Sequence, residues 1–358
     1  MRTNSEGKLA RRVGKSVAVL AILAAAAGPA AAAATPAAPA AGALDADLLA
    51  GLAPRSIGPA GMSGRIAAIA AVESNPDIVY AGAATGGVWK SFDGGITWKP
   101  IFDDQPVAAI GAIAIDRRNP SIVWVGTGEG NVRNSASVGN GIYRSLDGGE
   151  SWTHLGLDGS ERIHRIVLHP DDSEVAWVAA LGREWGENPE RGIFKTTDGG
   201  KSWRKVLYVD EKTGGADVAI VEGSPNRLFA TMWQYRRWPH FFKSGGPGSG
   251  LYSSLDGGET WQRLEEEDGL PAGELGRIGL GLSRSHPEIV YAMVEAGKSA
   301  LLRSDDGGRS FKSVNSEPNV NPRPFYFGEL RVDPQDPNRV FSLDYTVRLS
   351  TDGGRRTV

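Results

Sequence analysis

The chain of 358 residues has no cysteine, which excludes disulfides, thiolate metal sites and cysteine-linked lipid anchors. Histidine is scarce, with five in all. His164 and His169 stand five apart on an expected strand and so face opposite sides, which makes no metal pair. No P-loop, H-E-x-x-H or EF-hand pattern occurs, and "GTGEGN" at 126–131 does not match the dinucleotide fingerprint. No metal and no cofactor is therefore expected. The longest apolar run, "SVAVLAILAAAAG" at 16–28, is too short to span a bilayer.

That run follows Arg2, Lys8, Arg11, Arg12 and Lys15 and precedes a small-residue string with A-x-A sites. Residues 1–34 read as a signal peptide and 35–51, rich in alanine and proline, as a tether. The protein is then exported, to the periplasm or the medium, with no membrane insertion in the mature form. Residues 1–34 hold five basic groups against one acid, so their removal takes the net charge from −3 to −7. An acidic chain without runs of lysine and arginine is unsuited to nucleic acid.

What the sequence has in abundance is glycine (48) and proline (21), without a three-residue period, which points to a turn-dense all-β protein. A phrase recurs: "GVWKSFDGGITW" at 87–98, "GIYRSLDGGESW" at 141–152, "GIFKTTDGGKSW" at 192–203, "GLYSSLDGGETW" at 250–261 and "ALLRSDDGGRSF" at 300–311. A sixth copy, "VRLSTDGGRRTV", closes the chain. The aspartates Asp93, Asp147, Asp198, Asp256, Asp306 and Asp352 are 46 to 58 residues apart. Before each box stand two apolar segments joined by a turn, as in "GRIAAIAAV", "ESNPD", "IVYAGA". With a strand on either side of the box, each unit is a four-stranded antiparallel meander, and such units build a β-propeller, here of about six blades over 52–358.

Each box is expected at the turn between strands three and four, where aspartate accepts backbone amides and glycine supplies a positive φ. The closing aromatic (Trp98, Trp152, Trp203, Trp261, Phe311) is expected in the seam between blades. A catalytic group is not needed on every blade, so the six aspartates read as structural. The sixth box departs from the pattern at Arg356 and Thr357. The expectation is a truncated or frameshifted product, in which "LAPRSI" at 52–57 could close the last blade.

These motifs resemble the Asp-boxes, or BNR repeats, of sialidases, xyloglucanases, sortilin and the photosystem II assembly factor. The stretches "RSIGPAGMSGRIAAIA", "GTGEGNVRNS" and "SGGPGSGLY" more closely resemble large exported bacterial sortilin-N-terminal-like proteins, often labelled glycosyl hydrolases. The resemblance implies the propeller fold and leaves hydrolase, receptor and assembly roles open.

The loops opposite the boxes differ in length. Blade one has "GAATGG", whereas blade two has "GTGEGNVRNSASVGNG", blade three "ALGREWGENPERG" and blade four "MWQYRRWPHFFKSGGPGSG". Insertions on one face mark a binding face. The candidate ligand-binding residues are Glu129, Arg133, Asn134, Arg183, Trp185, Trp233, Tyr235, Arg236 and Trp238, with Arg323 and Tyr326 from "NPRPFYFGE". Aromatic faces beside arginines and carboxylates suit a glycan or a peptide. Solvent-facing Trp185, Tyr235 and Trp238 in one cleft would favour binding, and burial of all three a scaffold.

Hydrolysis requires two carboxyl groups across a cleft. The resemblance to xyloglucanases sets Trp98-Lys99-Pro100-Ile101-Phe102-Asp103 against a "W-x-P-L-x-D" stretch, which implies Asp103, or its neighbour Asp104, as a catalytic candidate. The tryptophan-rich segment that follows in those enzymes is absent, and their acid comes from a second propeller, a possible partner outside this chain. Glu129 and Glu184 are alternative carboxylates. The reading is a propeller that binds an extracellular glycan or peptide, with a glycoside hydrolase and a scaffold as alternatives.

Overall fold

Alternating β-branched and small residues, broken by Asn, Pro and Asp turns, give the chain short strands that bury one face against a neighbouring sheet. The computed structural model describes residues 64–356. The expected signal peptide, tether and 52–57 closing strand, together with Thr357, lie outside the described residues.

The described chain is an all-β, six-bladed propeller. Blade one comprises β1 (Ile66–Val72), β2 (Asn75–Ala83), β3 (Val88–Ser91) and β4 (Lys99–Pro100). Blade two comprises β5 (Ile110–Ile115), β6 (Val123–Thr127), β7 (Ile142–Ser145) and β8 (Thr153–His154), and blade three β9 (Ile163–Leu168), β10 (Ala176–Ala180), β11 (Gly192–Thr196) and β12 (Arg204–Leu207). Blade four comprises β13 (Thr213–Val221), β14 (Ser224–Arg237), β15 (Phe242–Ser244), β16 (Gly250–Ser254) and β17 (Gln262–Arg263). Blade five comprises β18 (Ile278–Leu282), β19 (Val290–Val294), β20 (Ala300–Ser304) and β21 (Lys312–Asn315), and blade six β22 (Glu329–Val332), β23 (Val340–Leu343) and β24 (Val347–Ser350).

Each sheet is an antiparallel meander in chain order. Two blades depart from the four-stranded expectation. Blade four gains β15, which pairs with the overlong β14 as a projecting hairpin, and blade six shows three strands among the described residues. The fourth strands shrink to two residues in β4, β8 and β17. Pro100, with no N–H to give, sits in one of them, at an outer edge where no ladder bond is lost.

The strands β1, β5, β9, β13, β18 and β22 adjoin in that order around a central channel. They pack closely: a Cβ on Gly111 would lie 2.2 Å from the carbonyl oxygens of Gly128 and Ile163, so only glycine fits there. The core is a series of seams. Blades one and two share Tyr80, Phe102, Val123 and Tyr143, and blades two and three share Trp124, Ile142, Ile163 and Phe194.

Box aromatics close these seams. Trp152 donates its indole N–H to the Ile101 carbonyl of the preceding blade at 2.7 Å, and Trp203 does the same to Leu155 at 2.7 Å. Trp98 instead donates to Gly95 of its own turn at 2.9 Å and is 38% exposed.

Within the box, both Ser145 Oγ and the Ser151 backbone N–H donate to Asp147 Oδ1, at 2.7 and 2.9 Å. Ser145 Oγ in turn accepts the Gly149 N–H at 2.7 Å. The first glycine of every box donates its N–H to the turn between strands one and two of its own blade or to the start of strand two. The acceptors are Asp77, Ser121, Glu174, Asn226, Glu288 and Asn338, at 2.7–2.9 Å. Each box therefore rivets two turns at one end of its blade, and the long loops emerge at the other end.

Candidate functional site

Two chambers occupy the channel. At the box end, a cavity of about 410 Å³ has apolar walls of Ile113, Ile166, Ile220 and Leu282. Glu73 and Glu222 each pair there with both Arg117 and Arg284, at 3.0 to 3.4 Å, in a ring that joins turns of four blades.

At the loop end lies a cavity of about 490 Å³ whose lining includes Asn131, His164, Arg165, Tyr326, Phe327, Glu329 and Arg331. Apart from Asp344, which follows β23, its charged groups stand at or near the loop-side ends of inner strands, where the backbone already points them at the axis. Arg165 in β9 donates Nε to Asp217 Oδ1 of β13 at 2.9 Å. Asp217 also accepts the backbone N–H of Val218 at 2.9 Å and of Leu280 at 3.1 Å. Glu329, which opens β22, lies 3.7 Å from Arg165 Nη2 and accepts from Arg331 Nη2 at 2.7 Å. Burial alone would raise the Glu329 pKa, but Arg165, then Arg331, brings it down to about 2, so it is a carboxylate at neutral pH.

Arg277 stands just before β18 and is buried. Its Nη2 donates to His164 Nε2 at 2.7 Å, its Nη1 to the Phe325 carbonyl at 3.2 Å, and its guanidinium lies 5.3 Å from the Trp233 ring. Burial, then the charge of Arg277, holds His164 well below the ordinary imidazole pKa, so it is neutral with Nε2 as acceptor.

The sequence-derived candidates divide among three environments. Tyr326 lines the loop-end chamber. Trp233 and Tyr235 stack at 4.4 Å in a buried cluster with Val132, Leu181 and Ala216, against which Phe242 and Phe325 pack. Glu129 is buried and accepts Arg65 Nε at 2.7 Å. Glu184, wholly buried, pairs with Arg162 at 3.1 Å and Arg237 at 3.0 Å, and so fixes the blade-four hairpin to the blade-three loop. Tyr235, Arg236 and Trp238 line a separate pocket of about 210 Å³ under that hairpin.

Asn134, Arg183, Trp185 and Arg323 are exposed, and Arg133 is half-buried. Arg183 pairs with Glu161 at 2.8 Å, and the Arg323 guanidinium lies 5.5 Å from the Tyr326 ring. The aromatic trio expected in one cleft is split: Trp185 faces solvent, Trp238 is half-buried and Tyr235 is buried. Asp103 and Asp104 are exposed and line none of these three cavities.

Arg165, Asp217, Arg277, Glu329 and Arg331 escaped the sequence reading, which sought function in loops. Their signal was available: a charge at the start of an otherwise apolar inner strand, as in "IHRIVL", "GGADVAIV" and "GELRV".

The architecture is that of an Asp-box propeller. Residues 140–269 match the Sortilin-Vps10 family model, described as sortilin, neurotensin receptor 3, and residues 89–100 match the BNR/Asp-box repeat model. A xyloglucanase of Paenibacillus sp is 25% identical over 286 residues, covering 74% of this chain and 24% of that protein. Xyloglucanase Xgh74A of Acetivibrio thermocellus is 24% identical over 331 residues, covering 79% of this chain and 36% of its own. The chain thus spans roughly a quarter to a third of the length of these curated relatives. The crystal structure of the Niastella koreensis GH74 enzyme superposes with a TM-score of 0.58 at 19% identity, over 80% of this chain and 45% of that one, and shares the fold. The protein is a propeller similar to those of glycoside hydrolases. Among the described residues no helix is long and apolar enough to cross a membrane.

Proposed function

We propose that this is an exported glycan-binding propeller that takes an extended polysaccharide across its loop face, with a neutral segment of the xyloglucan type in its channel. The loop-end chamber is the central subsite. The observation that carries the reading is the meeting of Tyr326 and Phe327 with Asn131, His164, Glu329 and Arg331 around one cavity of about 490 Å³. Aromatic faces suit the C–H faces of a sugar ring, and the surrounding donors and acceptors suit its hydroxyls. Similarity to xyloglucanases along 74% and 79% of the chain supports the same ligand class.

Binding is favoured over hydrolysis because glycoside cleavage requires a protonated carboxyl beside an ionised one. Glu329 is ionised. The carboxyls that burial pushes up, Glu184 and Glu295, do not line the chamber, and they are engaged by Arg162 and Arg237 and by Ser244.

Affinity electrophoresis against xyloglucan tests the reading, with Tyr326→Ala and Glu329→Gln each expected to weaken retention by about tenfold. Failure of the intact protein to bind xyloglucan or cello-oligosaccharides overturns it. Release of reducing ends that disappears in Glu329→Gln replaces binding with hydrolysis.

A further inference from the structure

The pocket under the blade-four hairpin has a chemistry unlike that of the chamber. Lys212, Arg236 and Lys243 contribute to its wall, and Glu187 is its one acidic lining residue. Glu187 stands 4.0 Å from Lys212 Nζ and 3.5 Å from Arg236 Nη1, attracted to both but outside normal hydrogen-bond length. Lys243 reaches Glu274 at 3.2 Å, away from the lining. Arg236 Nε is buried and has no hydrogen-bond partner among the described residues. Three cations against Glu187 in the wall and Glu274 just outside it leave the site one net positive charge, in a chain of net charge −3, a local inversion of the protein's field.

The aromatic content of the wall indicates what kind of anion fits. Trp238 is stacked on Phe241 at 4.4 Å, and the Arg236 guanidinium lies 4.7 Å from its ring in a cation–π contact that helps hold the side chain in place. A preorganised guanidinium beside two ammonium groups matches a carboxylate or sulfate. The volume of about 210 Å³ is below that of a site for a whole drug-sized ligand, and suits one substituted ring.

We propose that this pocket binds the anionic substituent, a carboxylate or a sulfate ester, of a charged sugar residue on a polysaccharide laid across the loop face. The inference rests on the glycan reading above and adds a charged subsite to a neutral one. Tyr235 lines the pocket, and its stacking partner Trp233 lies under Arg277, which bonds to His164 of the chamber wall. A single aromatic stack therefore stands between the two subsites.

The test measures binding of the full chain to polygalacturonate, cellulose sulfate, neutral xyloglucan and poly-glutamate, at low and at physiological salt. At least one anionic polysaccharide is expected to bind, weakening with salt, and to lose about tenfold or more in Arg236→Gln/Lys243→Gln. Arg236→Lys, which keeps the charge but not the planar fork, is expected to bind between the parent and the double variant, and xyloglucan binding is unchanged in both variants. The two polysaccharide arms distinguish carboxylate from sulfate. The inference is overturned if neither anionic polysaccharide binds, if the double variant binds them as the parent does, or if poly-glutamate binds equally well with the same losses. Absence of xyloglucan binding alone, with charge-dependent polysaccharide binding intact, sinks the neutral subsite and leaves this one standing.

Discussion

Arg277 Nη2 donates to His164 Nε2 at 2.7 Å, joining blade five to blade three across the channel mouth. The bond requires a neutral imidazole, which burial and the charge of Arg277 enforce, aided by Arg165 and Arg331 and opposed by Glu329. In the unfolded chain the same imidazole titrates near its ordinary 6.5. A histidine pKa depressed on folding means that the unfolded state binds the extra proton. Its contribution is complete above about pH 6.5 and is lost progressively as the pH falls below that value. The urea midpoint of the protein is expected to drop between about pH 7 and about pH 5, and His164→Gln to flatten that drop. Equal slopes in parent and variant would refute this assignment.

The box aromatics are not equivalent. Trp152 is half-buried, packs edge-on to Phe102 at 5.2 Å and bonds to the Ile101 carbonyl at 2.7 Å. Trp98 bonds within its own turn and is 38% exposed. Trp152→Ala is expected to cost about 3 kcal/mol through the cavity it leaves and the orphaned carbonyl, whereas Trp98→Ala is expected to cost well under half of that. Denaturant unfolding of the two variants gives the comparison, and similar losses would contradict the seam assignment.

The six-unit propeller was legible because its signal repeats. One box is a weak motif, but six at intervals of 46 to 58 residues, each after two apolar runs, fix blade number and strand order together. What differs between copies was not legible in this way. Trp98 and Trp152 hold the same motif position yet bond to different partners, and Trp261, with blade three before it, again bonds within its own turn, to the Gly258 carbonyl at 3.2 Å. The long loop of blade four gave an aromatic cluster but not its pairing. Strand β14 runs on to Arg237, turns, and returns as β15, which buries Tyr235 and leaves Trp238 at the pocket. Arg165 and Asp217 lie 52 residues apart in different blades, and no local pattern announces that they meet.

The boxes themselves predict acid sensitivity. Hydrogen bonds from Thr97, Ser151, Ser202 and Thr260 bring Asp93, Asp147, Asp198 and Asp256, respectively, down to about 2 from an ordinary 3.8. A carboxylate depressed on folding stabilises the fold above its unfolded pKa, and that contribution fades as the pH falls from about 4 towards 2. Circular dichroism along an acid titration is expected to show unfolding in that window. Asp147→Asn, which keeps the shape but not the charge, is expected to unfold at lower denaturant at neutral pH and to show a shallower acid dependence. An unchanged acid profile would mean that the turn draws nothing from its carboxylate.

Glu184 is the acidic member of a buried three-residue link. It pairs with Arg162 at 3.1 Å and with Arg237, the last residue of β14, at 3.0 Å, and its carbonyl accepts the Arg237 backbone N–H at 2.9 Å. Replacing it with glutamine preserves volume but takes from buried Arg237 its one acidic partner among the described residues and leaves Arg162 with Glu161 alone, at 3.3 Å. Removing one partner of such a link typically costs about 3 kcal/mol or more, since the stranded charges keep their desolvation penalty. Because Arg237 ends β14, the loss is expected to concentrate in the β14–β15 hairpin: amide exchange there should rise in Glu184→Gln while β10 and β19, buried in the seams, stay protected. The pocket beneath the hairpin depends on that hairpin's position, so its affinity for anionic polysaccharide should fall while the neutral chamber, built on inner strands, keeps its own. A Glu184→Gln protein with parental exchange in 235–244 would show that the hairpin is held by its aromatic stack alone.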